Sequence, residues 1–173
     1  MRNIMNDELL DLVNEYDEVI AQKSRLEVYK NGLRNFRVVN AFLINEQKQV
    51  WIPRRAPTKR LFPLCLDASM GGHVMAGETY HEAFLRELHE ELNLGLEGLD
   101  YDCCAKLVPH EHNVSAYMQV YLVYTNKSPD YNKQDFDSAA WYAISTLEEF
   151  INAGISTKGD LPMLVQTVKA FLI

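Results

Sequence analysis

Gly72-His-Val-Met-Ala-Gly-Glu78 runs straight into Thr79–Leu94, TYHEAFLRELHEELNL, and this stretch decides the fold. Its second piece predicts a helix over Thr79–Leu92. At about 100° per residue, Leu85, Leu88 and Leu92 fall on one side and Glu87, Glu90 and Glu91 together on the other. A run of charge on one helix face is most often plain solvated surface. Two features argue for more. Glu87 and Glu91 are like charges four residues apart, which costs a helix about 0.2 to 0.5 kcal/mol, and no Lys on that face relieves it. Glu90 and Glu91 also sit in the last turn, at the negative end of the helix dipole, where cations are favoured. A divalent cation would reverse both penalties. Hard oxygen ligands with no thiolate nearby select Mg²⁺, or Mn²⁺ as a substitute, over zinc. Arg86 adjoins this face, placed to orient Glu87 or to pair with Glu78. Asn93 stands where the helix stops, and Asn is second only to Gly in tolerating the left-handed stop position.

Outward from this helix the pattern changes to strands. Val38–Ile44 is an apolar run, Asn45–Lys48 reads as a turn, and Val50–Ile52 resumes, which is the spacing of a hairpin. A basic loop follows, with Arg54, Arg55, Lys59 and Arg60 among Pro53, Pro57 and Pro63. Downstream, strands are expected at Tyr101–Val108, Tyr117–Tyr124 and Ala139–Ile144, then helices at Leu147–Asn152 and Pro162–Leu172. Asn6–Val13 alternates acids with leucines as a short helix would, with Asn6 as its cap. Strands mixed with helices, without regular βαβ alternation, define an α+β domain whose mixed sheet is covered by helices. No linker or repeat divides residues 1–173, so one domain is expected.

Gly72, Glu78, Arg86-Glu87-Leu88, Glu90-Glu91 and Leu94 match the pattern G-x5-E-x7-R-E-U-x-E-E-x-G-U, where U is a bulky apolar residue. The chain therefore resembles the Nudix family, with its box at 72–94. The one departure is Asn93 at the last glycine. The resemblance implies an α/β/α sandwich and a hydrolase that cleaves pyrophosphate linkages in a nucleoside diphosphate joined to another group. It implies that Glu87, Glu90 and Glu91 are metal ligands, with the Gly72 carbonyl a further one, and that Arg86 and Glu78 support the loop and helix geometry. Metal would neutralise charge on the diphosphate and lower the pKa of an attacking water.

The flanks are similar to a narrower group, the isopentenyl-diphosphate isomerase-like branch. The likeness lies in Leu10–Ile20, Arg25, Glu27-Val28, Arg54-Arg55 with Lys59, and Asp67–Glu78, with residues 1–35 forming an extension packed on the domain. Against the isomerases themselves, Gly71 falls where a catalytic cysteine is expected and Phe36 where a metal-binding histidine is expected. Val114 and Ala116 fall where acids are expected. Only His73 matches that metal set. The resemblance thus favours a hydrolase of this branch over an isomerase, with a non-catalytic ligand-sensing domain as the reading outside enzymes.

Beyond the box, Glu111 in His110-Glu111-His112-Asn113 is the candidate general base, in a segment whose plainer reading is a polar turn. Arg54 and Arg55 are the candidate substrate-phosphate ligands. Trp51, Tyr117, Tyr121 and Trp141 read as core. The 173 residues carry 17 Lys+Arg against 24 Asp+Glu, a net charge of −7, which argues against a nucleic-acid partner and for a small anionic substrate held locally. Three cysteines, two of them adjacent, are not a disulfide framework. The opening MRNIMNDELLDLVNEYDEV has acids where a signal peptide would be apolar, and no run reaches the ~18 apolar residues of a membrane span. The expectation is a cytoplasmic protein, with a homodimer as the general base-rate assembly.

Overall fold

The computed structural model describes residues 7–172. In chain order the elements are β1 (Leu9–Val13), β2 (Val19–Ser24), α1 (Arg25–Lys30), β3 (Arg37–Ile44), β4 (Gln49–Arg55), β5 (Met70–His73), α2 (Tyr80–Leu92), β6 (Tyr101–Leu107), α3 (Pro109–His112), β7 (Tyr117–Tyr124), β8 (Phe136–Ala143), α4 (Ile144–Asn152) and α5 (Leu161–Leu172). A six-stranded sheet has the order β6-β7-β3-β4-β8, with β5 also paired to β3. β3 and β7 are parallel and the other pairs antiparallel, so the sheet is mixed.

β3 is apolar on both faces because both are covered. Val39, Ala41 and Leu43 pack with Tyr80, Ala83, Phe84, Leu88 and Leu92 of α2. Phe42 and Ile44 pack with Leu147 of α4 and Leu161, Leu164, Val165 and Val168 of α5. The result is the expected α/β/α sandwich. β4 and β5 share one edge of β3, β4 meeting it at Ile44 and β5 along Val38–Ala41, which sets Gly71 and Gly72 against the central strand.

Leu9–Val13 is a strand rather than the helix that its acids and leucines suggest, and the Asn6 cap lies outside the described residues. So short a helix has little stability of its own, and here distant partners decide. Leu10 and Leu12 are buried with Val28, Phe36 and Ala116. On the other side Asp11 accepts from Gln22 Nε2 at 2.8 Å and from Gly77 N at 2.9 Å, and Leu9 O accepts from Ala76 N at 2.8 Å. The β1–β2 hairpin therefore braces the loop that leads into α2. Its tip is fixed as well: Asp17 receives Arg37 Nε at 2.6 Å, Lys106 Nζ at 2.6 Å and Tyr80 Oη at 3.1 Å. Burial opposes ionisation of Asp17, but Lys106 and Arg37 hold its carboxyl below the ordinary value.

Smaller differences have local causes. β8 begins at Phe136, earlier than Ala139, because it follows β4 through Arg55, and Ile144 opens α4 instead of ending the strand. β2, α1 and β5 have no periodic signal of their own and exist through pairing and capping. Among the described residues, no helix is long and apolar enough to cross a membrane.

Candidate metal-binding and active site

α2 is held at both ends by its own residues. Thr79 and Glu82 form a reciprocal capping box, and Asn93 takes the left-handed stop at φ 50°, ψ 36°. Its N–H donates to His89 O, and that of Leu94 to Leu88 O. Asn93 thus does the conformational work of the missing glycine. The buried face is Tyr80, Ala83, Phe84, Leu88 and Leu92, with Glu87 at its edge, whereas Leu85 is exposed. The acidic face is accordingly not opposite the core: Glu87 is at the core boundary, Glu91 is half-buried and Glu90 looks to solvent.

Arg86 organises this boundary. Its Nε and Nη2 donate to the two oxygens of Glu78 at 2.7 and 2.9 Å, Nη2 also donates to His73 O at 2.9 Å, and Nη1 donates to Glu87 Oε1 at 2.6 Å. Glu78 in turn accepts from Met75 N at 2.9 Å. One guanidinium therefore ties the loop Gly72–Glu78 to the helix, and both partners expected for Arg86 are present. The bonds to Arg86 hold Glu78 below the ordinary carboxylate range despite burial.

Gly72 and Gly71 of β5 lie against the acidic face. A Cβ on Gly72 would stand 2.0 Å from Cδ and Oε1 of Glu87, so only glycine lets the strand backbone lie on that carboxylate. Gly71 N donates to Glu91 Oε2 at 3.1 Å. Burial pushes Glu87 up to about 7, with Arg86 opposing and Glu90 and Glu8 adding. Glu91 is pushed up to about 8 by burial and by Glu87, opposed by the Gly71 N–H and by Lys158. The structure thus brings Gly72, Glu87 and Glu91 together. Among the described residues no three acidic, His or Cys side chains already converge on one point. The donor chemistry nevertheless fits a hard divalent cation: two neighbouring carboxylates whose ionisation burial opposes, on a backbone cradle a Cβ would fill.

A pH dependence follows from these shifts. The ordinary value is 4.5 and the folded values are about 7 and 8, so between them the fold holds protons that the unfolded chain has released. Stability must fall as pH rises through that window. In a chelator, the melting temperature should drop by about 5 °C between about pH 5.5 and pH 8.5. Mg²⁺ should restore it mainly at the higher pH, and Glu91→Gln should shrink the drop. Calorimetric melts that stay flat across the range would contradict the assignment.

The outlying candidates divide. Arg55 Nη1 donates to Asp67 Oδ2 at 2.7 Å, and the charge of Asp67 reaches Glu91. Arg54 instead donates to Leu64 O at 2.8 Å and borders a cavity of about 210 Å³ with Ile52, Leu66, Ser138 and Tyr142. Lys59 is paired with Asp135. Glu111 lies exposed on α3 with His110 Nε2 at 3.5 Å, and its charge acts on Tyr117. His112 closes its own turn by accepting from Val108 N at 3.0 Å. His73 joins the N-terminal segment, with Tyr29 Oη at 3.0 Å from Nε2 and Glu8 Oε2 at 3.1 Å from Nδ1. Glu8 Oε2 makes no well-aligned hydrogen bond despite that short contact. Trp51, Tyr117 and Tyr121 are core, as expected. Three residues near the site escape sequence reasoning: Asp11, Asp67 and Lys158. Their roles exist only through contacts distant in sequence.

An acidic helix face packed on a glycine pair and locked by one arginine is an arrangement that could hold a divalent cation. The NUDIX domain model matches residues 34–159, and the chain belongs to the Nudix family. It is 52% identical to an uncharacterized Nudix hydrolase of Nostoc sp., over 92% of this chain and 94% of that protein. It is 46% identical to a Nudix hydrolase of Deinococcus radiodurans, over 94% of each. A Deinococcus radiodurans crystal structure at 46% identity superposes with a TM-score of 0.87, covering 92% of this chain and 98% of that one. An Ap4A hydrolase of C. elegans, 17% identical, shares the fold with a TM-score of 0.56 over 78% of this chain and 97% of its own. The chain is thus an enzyme of the Nudix hydrolase family, whose members generally use divalent metal ions and act on small molecules.

Proposed function

We propose that this Nudix protein is a Mg²⁺-dependent pyrophosphohydrolase. It cleaves the linkage in a nucleoside diphosphate joined to another group, or in a related diphosphate, by attack of water on phosphorus. The observation that carries the reading is the Glu87–Glu91 pair, the first buried and the second half-buried, on the Gly71-Gly72 backbone, with Arg86 bonded to Glu87. Glu87, Glu91 and the Gly72 carbonyl would hold the ion, and Glu90 would add an oxygen from the solvent side. Bound Mg²⁺ supplies charge neutralisation on the diphosphate and a lowered pKa for the attacking water. Arg86 keeps Glu87 oriented and spans loop and helix. Glu111, with no hydrogen bond to its carboxylate among the described residues, accepts the proton as the water oxygen bonds to phosphorus. The bridging P–O bond breaks and two phosphate-terminated products leave. Arg55 is the better placed of the two arginines for the substrate, through Asp67 beside Glu91.

The flanking likeness supports reading the chain as a hydrolase of the isopentenyl-diphosphate isomerase-like branch. Supporting that choice, Gly71 offers no thiol, and Phe36, Val114 and Ala116 are buried core residues without acid or imidazole. The test is product release from nucleoside triphosphates, nucleotide sugars, dinucleotides and isoprenoid diphosphates, with and without Mg²⁺, using Glu90→Gln as the blank. Metal-dependent hydrolysis absent from the blank is the expected result. Dimethylallyl diphosphate formed from isopentenyl diphosphate would overturn it in favour of isomerase. Silence across the panel with Mg²⁺ bound would favour a ligand-binding domain.

A further inference from the structure

Most cations near the acidic face are already committed. Arg86 spends its donors on Glu78, His73 O and Glu87. Arg55 is bonded to Asp67 and to Leu61 O. Lys158 differs. Its Nζ lies 3.5 Å from Asp67 Oδ2 and makes no hydrogen bond among the described residues, and its side chain is 30% exposed. It also lies 3.5 Å from the point a Cβ on Gly71 would occupy, and its charge acts on Glu91. The lysine thus stands next to the strand that meets the acidic face, with its three donors unspent.

Its backbone is not loose. Lys158 N donates to Leu66 O at 2.8 Å, Leu66 N donates to Ser156 O at 3.0 Å, and Leu161 N donates to Lys158 O at 3.0 Å at the start of α5. Thr157 bridges Leu66, which itself bridges Arg54 of β4. A Cβ on the neighbouring Gly159 would stand 3.9 Å from Cζ of Phe62. A simple structural ion pair is a poor account of this arrangement. Asp67 Oδ2 already receives Arg55 at 2.7 Å and Oδ1 receives Ala68 N at 2.8 Å, so the more distant lysine adds little to its partner.

We propose that Lys158 is a substrate-binding residue, donating to a non-bridging phosphate oxygen of the diphosphate held at Glu87 and Glu91. The inference rests on the pyrophosphohydrolase reading for its substrate class. The ligand's chemistry is that of a phosphoanhydride: a dense negative charge beside the metal-binding carboxylates, for which a compact ammonium is the matching point charge. No bond is made or broken at Lys158; the contact binds and orients.

The test compares Lys158→Met and Lys158→Arg with the wild-type full chain. Turnover is measured on whichever pyrophosphate substrate is cleaved, and binding of imidodiphosphate in the presence of Mg²⁺ is measured by calorimetry. Loss of one charge-assisted contact should raise KM and the imidodiphosphate Kd of Lys158→Met by about 10- to 100-fold. The kcat should change much less, Mg²⁺ affinity in the absence of anion should hold, and Lys158→Arg should recover part of the loss. A lowered melting temperature with KM and Kd unchanged would show a purely structural ion pair and overturn the proposal. If Lys158→Met fails to fold, Lys158→Gln decides: unchanged KM and Kd in that folded variant would overturn it, and a rise in both supports it. If the wild type cleaves nothing but binds imidodiphosphate more tightly than Lys158→Met, the Lys158 contact stands and the hydrolase reading falls. Equal binding by both overturns the contact itself.

Discussion

Replacing Glu90 with Gln should lower Mg²⁺-dependent turnover by about 10³-fold, equal to about 4 kcal/mol of transition-state stabilisation, without loss of fold. The expectation comes from how little else Glu90 does. Its side chain is 57% exposed, and its one ionic contact among the described residues is Arg86 Nη1 at 3.6 Å. A pair so open to water is worth little. Its charge also works against the fold, since it helps push the buried Glu87 upward. Removing that charge should leave the melting temperature unchanged or slightly higher while taking a negative oxygen from the metal's surroundings. The Mg²⁺ concentration giving half-maximal rate should rise. Turnover within tenfold of wild type at saturating Mg²⁺ would remove Glu90 from the site.

The contrast with Glu87 shows what was legible in sequence. Spacing alone groups Glu87, Glu90 and Glu91 on one face and marks them as unfavourable without a cation. It does not show that Glu87 lies at the core edge while Leu85 is exposed, because that depends on which helical sector meets β3 and β5. The Asn93 stop is local chemistry and stands where the residue predicts, whereas Thr79 caps the helix instead of being its first residue. Leu9–Val13 is the opposite case. Its conformation is decided by β2, by Met75 and Ala76 and by the cluster around Phe36, and five residues carry too little intrinsic preference to reveal it. Arg54 and Arg55 are adjacent in sequence, yet one holds the loop at Leu64 and the other pairs with Asp67. Lys158 is invisible for the same reason, since the loop that carries it is brought to the box by pairing with Leu66, distant in sequence.

Gly72→Ala is the substitution that tests whether the carboxylate cradle is built by the backbone. The new Cβ would lie 2.0 Å from Cδ and Oε1 of Glu87 and 2.5 Å from Cγ, where real Cβ atoms essentially never approach within 3.0 Å. Gly72 is not among the positive-φ residues, so the backbone itself accepts alanine and the effect must pass through Glu87. The side chain has to swing away, which breaks its 2.6 Å bond to Arg86 and withdraws the carboxylate from Gly72. Because only side-chain atoms need move, the fold should survive with a melting temperature lower by about 2 to 6 °C. Turnover should fall by about 10²- to 10³-fold, because misplacing a ligand by an ångström is costly at a positioned site. A double-mutant cycle isolates the route. Once Glu87 is truncated to Ala there is no carboxylate to displace, so Gly72→Ala should then reduce the residual rate by no more than about twofold. Additive losses would mean that Gly72 acts on the reaction independently of Glu87, through its own carbonyl.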